Sequence, residues 1–88
     1  MKIRLHSRFK KNYRSRIALN KKLVEQTKER ITIFQNNHTD PLLKNHALTG
    51  AKRGLHSFSI TGDIRIVYRP LKNNEVMFFD IGSHNQVY

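Results

Sequence analysis

His46 lies in a loop, Asp63 opens a strand-like run, Arg65 follows on the same face of that run, and His84 sits just past the last apolar segment. Histidine gives and takes protons near neutrality, and arginine is always charged and holds phosphate with a two-pronged fork. Together they offer what scission of RNA by its own 2′-hydroxyl requires: a base for that hydroxyl, an acid for the leaving 5′-oxygen, and a cation beside the pentavalent phosphate. Each acid–base contribution to such a step is on the order of a hundred- to ten-thousandfold. Taken singly, His46, Asp63, Arg65 and the terminal Tyr88 each also have an ordinary reading. His46 is a surface histidine, Asp63 after Gly62 is a turn residue, Arg65 is the outer face of a strand, and Tyr88 packs a helix.

Other chemistries find less support. The five histidines (6, 38, 46, 56 and 84) show no HxH or HxxxH spacing and no cysteine joins them, so no metal centre is predicted. No glycine-rich phosphate loop precedes a helix, and no hydroxyl sits in a nucleophile elbow. No cofactor is expected.

The elements that must position these groups follow from hydrophobic period. "KIRLH" alternates and reads as a first strand. Ser7 is expected to cap a helix in which Phe9, Tyr13 and Ile17 recur every four residues. Asn20 is expected to cap a second, with Leu23, Val24, Thr27, Ile31 and Phe34 as its buried stripe, ending at "QNNHTD". "TDPLLKNHALTGAKRG" reads as loop with one helical turn, from its Asp-Pro pair and its glycines.

Three strands follow. "LHSFSIT" puts Phe58 and Ile60 on one face, and "DIRIVYR" puts Ile64, Ile66 and Tyr68 on one face. "EVMFFDI" is apolar on both faces and therefore interior. Gly62-Asp63 and "LKNN" supply hairpin turns, and Gly82-Ser83 a further turn before His84. The order predicts an α+β fold: a small twisted antiparallel sheet, made of the N-terminal strand and a C-terminal three-strand meander, with two N-terminal helices packed on one face. The predicted core is Ile31, Phe34, Phe58, Ile66 and Phe78, upstream of the tail. The tail reaches Asp63 and Arg65 only if the last strand pairs with "DIRIVYR" in the right register.

Residues 1–88 read as one domain with a thin core. Seventeen Lys and Arg against six Asp and Glu give a net charge of +11. Eleven of those cations fall within residues 1–30, against Glu25 and Glu29 alone. Nucleic acid is the commonest partner for such a face, and an acidic protein would satisfy the same field. No apolar run approaches the roughly 20 residues of a membrane span, and "MKIRLHSRFKKNYR" lacks the apolar stretch of a secretory signal. A cytoplasmic location, away from any membrane, is expected.

The runs "DPLLKNHALTG", "GDIRIVY" and "EVMFFDIGSHNQVY", with the early "RFKKNYR", resemble the RelE/ParE superfamily of bacterial toxins, and within it the YafQ-like branch of ribosome-dependent mRNA interferases. The resemblance covers nearly the whole chain. It implies two N-terminal helices on a small twisted sheet, and a concave, positively charged face that receives mRNA in the A site of the 30S subunit. Position by position, it makes His46 the branch's loop histidine, Asp63 its acidic residue before the strand, and His84 its histidine near the C-terminus. Arg65 becomes the arginine of the wider superfamily's strand, and Tyr88 a terminal aromatic that places a base. Arg8, Lys10, Lys11, Arg14, Lys52 and Arg53 are expected to join Tyr88 on the nucleic acid. The resemblance also implies a cognate acidic antitoxin in a bacterial cytoplasm. One position departs from the branch: where it carries another histidine, this chain has Ser59, and His56 lies three residues earlier on the opposite face of the strand.

Three functions remain open on the sequence. The first is a metal-independent, ribosome-dependent mRNA endonuclease acting as the toxin of a type II toxin–antitoxin system. The second is a ParE-like inhibitor of DNA gyrase, which would not need a terminal histidine. The third is a non-catalytic basic RNA-binding module, which Ser59 keeps in play.

Overall fold

The structure, a computed structural model, describes all 88 residues. β1 (Lys2–Leu5) leads directly into α1 (Ser7–Arg16), and α2 (Lys21–Asn36) follows after a short turn. His6 caps α1, where Ser7 was expected to: its Nδ1 accepts from the Arg8 amide at 3.0 Å. The role falls to His6 because β1 pairing extends to it, its own amide donating to the Phe78 carbonyl at 2.9 Å, so it is the last extended residue. Asn20 caps α2 as the sequence predicts, its Oδ1 accepting from the Leu23 amide at 3.1 Å.

The stretch expected as loop holds two 3-10 turns, Pro41–Leu43 and Gly50–Lys52, and between them a strand of two residues, β2 (His46–Ala47). So short a strand has no period of its own; it exists because β3 (His56–Ser59) offers it an edge. β4 (Ile64–Pro70) and β5 (Glu75–Ser83) complete a meander, and α3 (His84–Val87) ends the chain. Asn73 and Asn74 turn the last hairpin with left-handed φ of 61° and 57°, a conformation asparagine tolerates better than most residues.

The strand order is β1-β5-β4-β3-β2. The fold is α+β as predicted, with β5 in the interior. The sheet, however, is mixed where an antiparallel one was expected, because β1 runs parallel to β5, Lys2 opposite Glu75 and Leu5 opposite Phe78. The direction of so distant a pairing is decided by where the intervening elements return the chain, and no local pattern records it.

One face of the sheet carries the main core. Phe34, Phe58 and Phe78 are fully buried there, Phe34 stacking on Phe58 with ring centroids 4.5 Å apart and Tyr68 set edge-on to Phe34 at 4.9 Å. Phe9 of α1 and Ile17 just past its end join them, while Ile31 is only half-buried against the cluster. A second, smaller cluster of Leu55, Val67 and Val87 stands apart from the first. Hydrophobic burial therefore extends to the penultimate residue, and the tail is part of the packed structure.

Candidate active site

The register of β4 against β5 sets Ile64 opposite Ser83 and Arg65 opposite Gly82, which delivers the tail to Asp63. Asp63 Oδ1 accepts from the His84 amide at 3.4 Å. Ser83 then opens α3 with a capping box: its Oγ accepts from the Gln86 amide at 3.3 Å and Gln86 Oε1 accepts from the Ser83 amide at 2.7 Å. The exposed His84 ring meets Tyr88 edge-on, centroids 4.5 Å apart. At the far end the Tyr88 phenol donates to Ser57 Oγ on β3, and Val87 is buried beneath. His84 and Tyr88 are thus held from both sides.

Gly82-Ser83, expected as a turn, are the last residues of β5. Gly82 gives two side chains room to approach closely: a Cβ there would lie 2.6 Å from Gln86 Oε1 and 2.7 Å from Arg16 Nη1, and both would have to shift. A glycine inside a strand pattern was the signal for it.

Arg65 pairs across the ladder with Ser59, and its Nη1 donates to Ser59 Oγ at 2.8 Å. Its Nε is buried and donates to nothing in the protein. Ser59 is itself buried, so this position supports the arginine. His46 stands opposite Ser57, the residue that receives the Tyr88 phenol. Cross-strand partners share a face, so the rows His46–Ser57–Val67 and Ser59–Arg65–Gly82 lie on the side away from the phenylalanine core. His46 is exposed, its Nδ1 bonded to the Lys44 carbonyl at 2.9 Å, and no hydrogen bond ties it to Asp63, Arg65 or His84. As an edge residue it also borders a cavity of about 500 Å³ shared with His38, Asn45, His56 and Tyr68, which none of those other three lines. No three histidine, aspartate or glutamate side chains come together as a metal ion would require.

The expected nucleic-acid contacts fall in two patches. Arg8, Lys11 and Arg14 line a shallow groove on α1 with Arg16, and Lys10 is exposed on the same helix. Lys52 borders a cleft with Tyr88, beside the exposed Arg53. Arg8 is not a free cation. Arg8, Asn12 and Arg16, spaced by four, converge on the buried Asp80, at 3.5 Å from Arg8 Nε, 2.7 Å from Asn12 Nδ2 and 3.4 Å from Arg16 Nη1. Sequence reasoning missed this cluster, although a lone aspartate in an apolar strand calls for cations.

The model of the YafQ family, bacterial toxins of type II toxin–antitoxin systems, matches residues 1–88. The chain belongs to the YafQ toxin family. Among solved structures it is similar to a mutant YafQ from E. coli, at 19% identity and a TM-score of 0.81, covering 98% of this chain and 96% of that one. It is likewise similar to YafQ in the E. coli DinJ–YafQ complex (20% identity, TM-score 0.78, 98% and 96% covered) and to a YoeB/ParE toxin from Agrobacterium tumefaciens (22%, 0.79, 96% and 99%). At these identities the likeness establishes the fold. No curated relative matches the sequence. No helix of this YafQ-family toxin is long and apolar enough to cross a membrane.

Proposed function

We propose that this toxin is a ribosome-dependent mRNA endonuclease that cuts in the A site by attack of the RNA's own 2′-hydroxyl. The observation that carries the reading is the β4–β5 register, which brings the tail histidine, Asp63 and Arg65 to one end of the sheet. His46 and His84 exchange the two protons of the reaction. A carbonyl only accepts, so the Lys44 contact puts the His46 proton on Nδ1 and leaves Nε2 as the free lone pair of a base. The 2′-oxygen loses its proton and bonds to phosphorus, the P–O5′ bond breaks, and His84 protonates the leaving oxygen. Arg65 balances the charge gathering on the phosphate, Asp63 holds the tail in place, and Tyr88 stacks against a base. No step needs a Lewis acid.

The partner that restrains the toxin is a small acidic antitoxin whose disordered segment folds over the basic face. The net charge of +11 and the DinJ–YafQ complex of a relative support this. The deciding experiment is induction in bacteria with mapping of transcript ends and of plasmid topology. Codon-phased cuts that leave a 5′-hydroxyl and a 2′,3′-cyclic or 3′-phosphate are expected. A 5′-phosphate product would rule the mechanism out, and altered plasmid topology without cuts would point to gyrase instead.

A further inference from the structure

Behind Arg65 lies a polar cleft of about 300 Å³ that none of the roles above uses. Arg30 of α2, Lys44, Ser59, Thr61, Gly62 and Arg65 line it, with Pro41 and Leu42 at one wall. Three cations face this space and no carboxylate does. None of the three is in an ion pair, since the chain's ion pairs are taken by Arg4, Arg8 and Arg16.

Two of the three cations are held by their side chains, and the third springs from a constrained backbone. Arg30 Nη1 donates to the Leu42 carbonyl at 2.8 Å and the Ser59 carbonyl at 3.3 Å, which fixes its guanidinium at the wall. Arg65 is anchored through Nη1 on Ser59 Oγ alone, its buried Nε left without a partner. Lys44 is held in the left-handed region at φ 49°, where an L side chain rarely sits, at the end of the Pro41–Leu43 turn. Thr61 Oγ1 already accepts from the Asp63 and Ile64 amides, so only its proton remains to be shared. Ser59 Oγ accepts from Arg65 and likewise keeps its proton to donate. Every free side-chain polar group of the cleft can therefore donate, under three uncompensated positive charges. That is the complement of a tetrahedral anion.

We propose that Arg30, Lys44 and Arg65 form a phosphate-binding subsite that takes the RNA phosphate next to the one under attack. Its identity as an RNA subsite rests on the nuclease reading; its capacity to bind phosphate does not. Arg65 would then bridge two successive phosphates, its fork shared between the reacting centre and this cleft, so the subsite sets the strand's register on His46 and His84.

The test titrates the isotope-labelled full chain at low ionic strength and follows the arginine Nε–H and backbone amide signals. The probes are inorganic phosphate and a 2′-O-methyl trinucleotide, which cannot be cleaved. Saturable shifts at Arg65, Arg30 and residues 59–63 are expected. Lys44→Gln, an exposed change, and Arg65→Lys, which keeps the charge and removes the fork, should each weaken phosphate about five- to tenfold with the amide spectrum otherwise preserved. The trinucleotide should displace phosphate from the cleft. Absence of a saturable shift, shifts confined to the α1 groove, or equal binding by Lys44→Gln would overturn the subsite. Phosphate binding that the trinucleotide fails to compete would overturn its assignment to RNA. No ribosome or cleavage enters this experiment, so its failure leaves the nuclease reading standing, and uncut transcripts in cells would reject that reading while leaving the cleft.

Discussion

His84 is exposed and Tyr88 is 38% exposed, yet neither is free to wander. Asp63 holds the backbone of one, Ser57 the hydroxyl of the other, and their rings brace each other. Division of labour between the two residues follows. His84→Ala should abolish cleavage while thermal stability and antitoxin binding hold within about 0.5 kcal/mol, because an exposed side chain contributes little to either. Full toxicity of that variant would place the active site elsewhere. Tyr88→Phe keeps the aromatic face and loses one hydrogen bond, worth about 1 kcal/mol, whereas Tyr88→Ala also loses a stacking surface worth roughly 1–3 kcal/mol per base. Single-turnover cleavage on programmed ribosomes should therefore rank wild type above Tyr88→Phe and Tyr88→Phe above Tyr88→Ala. Equal rates for the two variants would remove the stacking role.

Among the elements, α3 is the one whose packing changes what an experiment can say. Val87 is buried against Leu55 and Val67, so Val87→Ala should cost about 2 kcal/mol and lower the urea midpoint. Deleting Asn85–Tyr88 takes that packing away along with Tyr88, and its effect on toxicity mixes stability with base stacking. Gly82→Ala should push Arg16 from the Ile81 carbonyl, which it reaches at 3.0 Å, and disturb the Gln86 cap. Both obstructing atoms are the ends of flexible side chains, so the expected loss on thermal unfolding is that of a displaced hydrogen bond, about 1 kcal/mol. An unchanged melting temperature would show that both side chains move aside freely. Inside the sheet, burial pushes the Tyr68 phenol above its usual 10.0, partly opposed by its hydrogen bond to Asn45. A raised acid holds its proton more tightly when folded, so this stabilisation is complete below pH 10 and is lost as pH rises through the folded value. Tyr68→Phe should flatten the alkaline limb of the stability curve; a limb of the same slope would show that another group governs it. Glu75 has the opposite sign. The hydrogen bond from Arg4 that joins β1 to β5 lowers its carboxyl from 4.5, so that link is complete above pH 4.5 and weakens as pH falls through the lower folded value.

Across the whole molecule, the net charge of +11 is spent unevenly. Arg8 and Arg16 are drawn inward to Asp80, while Lys10, Lys11 and Arg14 remain on the surface of α1. Replacing Lys11 or Arg14 by Gln should weaken ribosome binding and reduce the slope of log K against log salt by about 1 for each phosphate no longer neutralised. The fold should be unaffected. Arg8→Gln should change the salt slope less, because Asp80 already meets part of its charge, and should cost at most about 1 kcal/mol of stability, the worth of a half-exposed ion pair. Salt slopes that do not change in any of the three variants would take α1 out of the docking surface.

Much of this protein was legible in its sequence, for a definite reason. Alternation at Phe58 and Ile60, alternation at Ile66 and Tyr68, and the four-residue spacing of Phe9, Tyr13 and Ile17 each report burial on one side of a local element, and burial has a period that residues display in order. Charge and the absence of metal-ligand spacing are likewise sums over the chain. Other features depend on distances the chain order does not contain. The parallel seat of β1 beside β5, the strand at His46–Ala47, the capping of α1 by His6 and the gathering of Arg8, Asn12 and Arg16 on Asp80 all join residues far apart or decided by a neighbour. The site belongs to both levels. Its residue types were readable, but only the pairing of Arg65 with Gly82 brings the tail to Asp63, because a shift of one residue in β5 would turn every side chain beyond it to the other face.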